Sequence, residues 1–470
     1  MVFSSAAFLF LFLPVFLAIY LLARRWANLA ILLFSLLFYF IGEGWFVLIL
    51  LISITLNYAF GLGIGLENKR RKLWLALGLC ANLGLLFYFK YTLFFVSQVL
   101  GFPESALPEK IHLPIGISFF TFQGISYLVD VYRGQVKAER SISQVATYIA
   151  MFPQLIAGPI VRYGSIAASL VTRTITARHV YFGIVFFSVG LAEKVLIADT
   201  VAEICDAIYA APPSELHVSA AWLGGVAYML QIFFDFSGYS AMAIGLGLIM
   251  GFEFPRNFNF PYTAQSITEF WRRWHISLST WFREYVYIPL GGNRVGAAKT
   301  LRNLVIVFLL TGIWHGAAWG FVIWGIWHGA FMLLERIGLG AILKRAWIGV
   351  RVTYTLLVVY IGWIFFRANS VEQAFEFIIR HITGPSEGIT AWAYLSNEAI
   401  AALGVGAILS TPAIMMLSRR VIAAPEYGAW RERFPVWKYA SGLAVSAVLF
   451  ALPAIKILSG AYSPFIYFRF

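Results

Sequence analysis

Long apolar runs recur along almost the whole chain, and no other feature narrows the fold as much. A run of about 20 apolar residues, wound as a helix, crosses a hydrocarbon core of about 30 Å. Backbone amides find no water in that core, so a run that crosses it must satisfy its own hydrogen bonds as a helix or a closed barrel. Of the 470 residues, 60% are hydrophobic and 12% charged. A water-soluble domain carries about 25% charged residues, so this chain lacks the polar surface to fold in water. The expectation is an all-α polytopic membrane protein. In water the length would suggest about two or three domains; in a bilayer every span joins one bundle, so one domain over residues 1–470 is expected.

The first run, Phe8 to Leu22, has no basic residue before it and Arg24–Arg25 after it. A signal peptide has the opposite layout and ends at a cleavage site that this run lacks. An uncleaved first span with its N-terminus outside is expected. Further runs end at Gly42-Glu43-Gly44, at Lys69-Arg70-Arg71-Lys72, at the acid-bearing stretch Pro103 to Glu109, and at Arg133, Lys137 and Arg140. Basic joints alternate with non-basic ones, as the positive-inside rule asks of such a bundle. Later runs lie near 145–160, 179–198, 219–250, 303–314, 317–334, 351–366, 399–417 and 440–458. Several are short, and Pro114, Pro153 and Pro159 interrupt the middle ones, so re-entrant segments are expected. The net charge of +13 sits in these joints. It therefore speaks for topology beside a lipid bilayer and against nucleic acid. Cys80 and Cys205 both lie in or near apolar runs and encode neither a disulfide framework nor a metal cluster.

Residues 253–303 are less apolar and rich in arginine, which suits interfacial helices on the cytoplasmic side. Taken as one helix from Glu269 to Pro289, at 100° per residue, they put Phe270, Trp274, Leu278, Trp281 and Tyr285 on one face. Arg272, His275, Ser279 and Arg283 fall on the opposite face. Such a stripe either greets lipid phosphates or meets a phosphate-rich substrate. His315 stands in an apolar region, where an ionisable side chain is costly and marks function by default. Its other reading is a histidine hydrogen-bonded between helices. Gly312 and Gly316 beside it would admit a second chain or a ligand close to the backbone. The sequence Gly-Ile-Trp-His-Gly at 312–316 returns at 325–329. On a continuous helix His328 would lie about 220° round from His315, so the two would not share a face. Glu193, Lys194 and Asp199 could form a proton relay of a transporter or flippase, or a structural ion-pair network. The chain has no phosphate-binding loop, nucleophile elbow or zinc-protease motif.

One ordered set of motifs goes further. Asn257-Phe-Asn-Phe-Pro-Tyr262 followed by Ser266-Ile-Thr-Glu-Phe-Trp-Arg-Arg-Trp-His-Ile-Ser-Leu-Ser279 resembles the signature of the membrane-bound O-acyltransferases. Within that family it is similar to the bacterial branch that acetylates exported polysaccharides. Met1 to Ser5, Leu113 to Phe119, Phe152 to Pro159, Phe234 to Ser240 and Trp314-His315-Gly316 match in the same order. The signature region runs from about 110 to 335; the C-terminal spans, 351–458, match only in being apolar. The resemblance implies a ring of about 11–13 tilted helices around a central tunnel. It implies acetyl-coenzyme A as donor substrate, with no tightly bound cofactor or metal. A separate periplasmic acetyltransferase, or the polysaccharide itself, would accept the acetyl group. It places the family's key histidine on His315 and its second polar position on His275. Trp314 and Asp235, from the matching motifs, join Arg272, Arg273, Ser279 and Arg283 as candidate substrate-binding residues, the arginines by charge alone. Alginate, acetylated cellulose, other exopolysaccharides and peptidoglycan all stay open, as does a carrier-protein donor of the D-alanylation type. The implied compartment is the bacterial inner membrane.

Overall fold

A computed structural model describes residues 1–66, 69–103 and 111–460. Most of the expected acid-bearing stretch after Pro103 lies outside them. Among the described residues, β pairing is limited to one isolated bridge between Leu216 and Ile389. Among the same residues, eight helical stretches are long and apolar enough to cross a membrane. Two shorter apolar helices, α1 (Phe8–Leu22) and a later one at Asn397–Leu409, accompany them. The chain is an all-helical, multi-pass membrane protein. The first long stretch, Arg24–Gly65, holds two helices, α2 (Ala27–Glu43) and α3 (Val47–Gly65). They are joined at Gly44, whose φ of +58° only glycine takes without strain.

The chain packs as two compact units. The first comprises Met1–Phe187 with Met242–Pro255. It contains α1 to α3, α4 (Arg71–Val99), α5 (Ile117–Tyr132), α6 (Ile142–Ala150) and α7 (Tyr163–Val171). Helix α5 is buried along nearly its whole length. Its entry turns at Gly116, with φ +79°, where a Cβ would stand 2.5 Å from the Leu155 carbonyl oxygen. Beside α5, Asn57 of α3 and Asn82 of α4 exchange amide hydrogen bonds of 3.2 and 3.0 Å. Two buried amides that satisfy each other cost little in an apolar interior and fix the register of the two helices. The run expected near 145–160 is broken, as its prolines require. It contains the nine-residue α6 and a short turn at Phe152–Leu155, all buried from Val145 to Val161. Nine residues rise only about 13 Å, so this segment ends inside the protein.

The second unit comprises, among the described residues, Ser188–Ala241 and Arg256–Gly460. Helices α8 (Ala177–Ala210) and α9 (Val218–Ile249) give residues to both units. Then follow α10 (Ile267–Arg273), α11 (Ile276–Phe282), α12 (Ala297–His315), α13 (Trp319–Arg345) and α14 (Ile348–Arg367). The unit closes with α15 (Val371–Arg380), α16 (Asn397–Leu409) and α17 (Val436–Leu458). Helices α12 and α13 form a hairpin that turns at Gly316–Ala318. They meet backbone to backbone: a Cβ on Gly312 would lie 2.5 Å from the Phe321 carbonyl oxygen, and one on Gly325 2.5 Å from that of Phe308. This is the small-residue crossing that brings helices close in lipid. The repeated Gly-Ile-Trp-His-Gly is thereby explained, since the first glycine of each copy sits at the crossing.

Candidate active site

The helix expected from Glu269 to Pro289 is not continuous. It breaks at Trp274–His275 into α10 and α11, and His275 adopts the left-handed region at φ +42°. For a side chain with a Cβ that conformation is strained and persists only where the surroundings impose it. Here they do. Asn259 N donates to Arg273 O at 3.0 Å and Ile276 N to Asn257 O at 2.9 Å, so residues 257–259 pair with both sides of the kink. The Asn257 side chain completes the clamp. Its Oδ1 accepts from Ser277 Oγ at 2.5 Å, and its Nδ2 donates to Ser240 Oγ at 2.9 Å. The break resets the helical phase, so the predicted stripe does not exist: His275 is 1% exposed, whereas Arg272 and Arg283 are exposed.

Helix α10 is tied at its start as well. Ser266 Oγ accepts from Glu269 N at 3.0 Å and caps the helix. Glu335 of α13 supplies a second cap. Its carboxylate accepts from Ile267 N at 2.5 Å, from Thr268 N at 2.9 Å and from Thr268 Oγ1 at 2.6 Å. A carboxylate at a helix N-terminus satisfies free amides and complements the dipole.

His275 lies with its ring edge-on to Phe236 (4.5 Å, 90°). Its Nδ1 stands 3.4 Å from Asn257 Oδ1. That oxygen already accepts from Ser277, and an amide oxygen cannot donate, so Nδ1 carries the proton. Nε2 then presents its lone pair, and among the described residues this buried atom has no hydrogen-bond partner. Burial holds the imidazole below its usual range, hence neutral at physiological pH.

His315 ends α12 and is also buried. Its ring contacts Trp314 at 4.9 Å, Trp324 at 4.9 Å and Phe366 at 5.0 Å between centroids. The Trp314 ring lies 6.2 Å from that of His275. One indole therefore touches both candidate imidazoles. The backbone at Gly312 is open to the next helix, and Gly316 to the ring of Phe321, rather than to a ligand. Because the hairpin turns at Gly316, His328 is not 220° away. Its ring and that of His315 both lie against Trp324, at 5.1 and 4.9 Å.

The other candidates separate. Arg273 is held by Glu269 at 2.6 Å and also donates to Asn259 O and Thr263 Oγ1, both at 3.3 Å. Arg283 pairs with Glu284 at 3.2 Å on the surface. Ser279 is half-buried, and its amide donates to His275 O at 3.0 Å. Asp235 lies 2.8 Å from Lys194, which also contacts Asp199 at 2.5 Å, all three deeply buried. Glu193, beside them in sequence, accepts from Ser237 at 2.8 Å. This geometry is an ion-pair network. The stretch Asp235–Ser240 of α9 joins it to the histidine, since Asp235, Phe236, Ser237 and Ser240 contact Lys194, His275, Glu193 and Asn257 respectively. Among the described residues no three of His, Cys, Asp and Glu gather to hold a metal ion. Asn257 and Glu335 were not singled out in the sequence. Asn257 stood in a quoted motif, but only the kink reveals its task, and Glu335 reaches α10 from 68 residues away.

The sequence matches the membrane-bound O-acyltransferase family over residues 73–372, a span that holds both histidines, Trp314 and Asn257. The chain belongs to the membrane-bound O-acyltransferase family. It is 40% identical to the probable alginate O-acetylase AlgI of Pseudomonas aeruginosa, over 100% of each chain. It is 37% identical to a peptidoglycan O-acetyltransferase of Helicobacter pylori, covering 85% of this chain and 82% of that one. A teichoic acid D-alanyltransferase of Bacillus subtilis is 30% identical over 48% of this chain and 60% of its own. The similarity extends past residue 330, where the motifs had shown only apolar spans. As a membrane-bound O-acyltransferase the chain is an acyltransferase, and the transporter or flippase reading of its buried charges falls away.

Proposed function

We propose that the chain is an O-acetyltransferase that takes acetyl groups from acetyl-coenzyme A on the cytoplasmic side of the bacterial inner membrane. It passes them outward, through a passage in the membrane domain, for O-acetylation of an exported polysaccharide, alginate first among them. The Pseudomonas aeruginosa relative, a probable alginate O-acetylase, aligns along the entire chain, which supports that acceptor. The observation that carries the chemistry is the placing of His275 and His315 against one buried indole, Trp314.

In this reading the acceptor hydroxyl attacks the thioester carbonyl carbon. His315 takes the hydroxyl proton, the carbon–sulfur bond breaks, and the thiolate leaves and is reprotonated to coenzyme A. His275, protonated at Nδ1 by its contact with Asn257, offers Nε2 as an acceptor to a second, neighbouring hydroxyl of the acceptor and so orients the substrate. Arg272 and Arg283, both exposed, attract the coenzyme's phosphates. The aromatic walls from Phe236, Trp314, Trp324 and Phe366 keep water from the thioester. A separate periplasmic acetyltransferase, or the glycan itself, completes the transfer. The Helicobacter pylori relative favours peptidoglycan as the second acceptor to test.

The test is thiol release from acetyl-coenzyme A by protein purified in nanodiscs. General-base catalysis contributes about 10²–10⁴-fold, so His315→Ala should lose about that factor with protein level unchanged. His275→Ala should lose less and chiefly slow transfer to added acceptor. Full activity in His315→Ala would overturn the assignment.

A further inference from the structure

The first unit carries a cavity that the acyl-transfer site does not use. It has a volume of about 740 Å³ and opens beside the joint between α1 and α2. Arg24, Arg25 and Arg173 line it with Trp26, Leu21 and Leu29. Arg24 and Arg25 are exposed, in the short turn that links two apolar helices. Arg173 is a fixed member. Its Nε donates to Tyr20 Oη at 3.0 Å, its Nη1 to Asn28 Oδ1 at 2.6 Å and to Ser169 O at 3.2 Å. The guanidinium also lies over the Phe252 ring at 4.8 Å. Its Nη2 is buried and, among the described residues, has no hydrogen-bond partner. A guanidinium carries five N–H donors, so this one is left with donors to spare. A second cavity of about 300 Å³ shares Arg173, Thr172 and Thr174 with the first.

Three guanidinium groups on one cavity call for an anion, and a planar fork of donors fits phosphate oxygens. The rest of the lining says what the anion is attached to. Leu21 and Leu29 are each nearly half exposed on helices of membrane character, and Trp26 is 61% exposed at their joint. Tryptophan at the end of a span marks the headgroup level of a bilayer, and leucines beside it face acyl chains. A soluble nucleotide would find no partner for them.

We propose that this cavity is a phosphate-ester site, and that its occupant in the membrane is an anionic phospholipid. The phosphate meets Arg24, Arg25 and Arg173, and the acyl chains lie along Leu21 and Leu29. The test uses the full chain in mixed micelles and native mass spectrometry, with phosphatidylglycerol, phosphatidylcholine and coenzyme A as separate probes. One phosphatidylglycerol should stay bound where phosphatidylcholine is lost. Each arginine near a lipid surface contributes about a fivefold preference, so the double variant Arg24→Gln/Arg25→Gln should retain the anionic lipid about thirtyfold less well. The variant's melting temperature in phosphatidylcholine should equal that of the native chain, since both side chains are exposed. If it falls, the single variants Arg24→Gln and Arg25→Gln give the same reading at about fivefold each. Equal retention of both lipids, or unchanged retention by the variants, overturns the site. Displacement of phosphatidylglycerol by coenzyme A, with coenzyme binding weakened in the same variants, overturns the lipid and gives the phosphate to the acyl donor.

Discussion

At the scale of the residue, Asn257 decides what His275 can do. Its amide oxygen accepts from Ser277 and faces the imidazole, so the proton sits on Nδ1 and the lone pair on Nε2. Burial lowers the imidazole's proton affinity, so native His275 is neutral across the neutral range. A carboxylate in place of the amide keeps the acceptor but adds a negative charge, which raises that proton affinity. Asn257→Asp should therefore hold activity at alkaline pH and lose it as pH falls, because protonation removes the Nε2 lone pair. The pH profile of thiol release checks this: an acid limb near neutrality, absent from the native chain, is expected. Superimposable profiles would mean that Asn257 merely shapes the backbone. His315 was legible in the sequence because an ionisable group in apolar surroundings is costly, and His275 because it stands in the family motif. The tautomer was not, because it depends on an amide 18 residues away that folds back across a kink.

At the scale of the element, periodicity failed where the chain stops being a helix. Counting 100° per residue through Trp274 assumed a regular backbone, and the left-handed His275 turned the two arginines away from the imidazole. The same assumption separated His315 from His328, whereas the turn at Gly316–Ala318 folds both onto Trp324. The long apolar runs, whose recognition needs no phase, do correspond to apolar helices of the structure. The hairpin itself rests on glycine. A leucine at Gly325 would force its side chain against the Phe308 carbonyl and Gly312. Gly325→Leu should cost about 1–3 kcal/mol of stability, as overpacking does. Its melting temperature should fall and its thiol release should drop with it, because the same hairpin carries His315. A variant that melts lower with undiminished turnover would show that the base is placed by something other than this crossing.

At the scale of the molecule, the alternation of joints becomes a statement about sides. Arg25 and Lys72 stand at basic joints of the first unit, and Gly44 at the non-basic turn between α2 and α3. With the N-terminus outside, single cysteines at Arg25 and Lys72 should react with a membrane-impermeant maleimide only in inverted vesicles, and one at Trp45, 77% exposed beside Gly44, only in intact cells. The reverse pattern would turn the whole bundle over and put the donor on the wrong side for acetyl-coenzyme A. The family was legible from ordered motifs because several of them lie at constrained places: a kink at His275, a close backbone approach at Gly116, a buried ion pair at Asp235.

The backbone contact between Gly312 and Gly325 has a practical side. Because main chain rather than side-chain bulk sets the distance between α12 and α13, the outward faces of the hairpin are free to carry other cargo. Val305, Leu310 and Ile326 point away from the protein, at 46%, 40% and 56% exposure. Spin labels or fluorophores attached there would report the motion of the hairpin that carries His315 during turnover while leaving its buried face untouched.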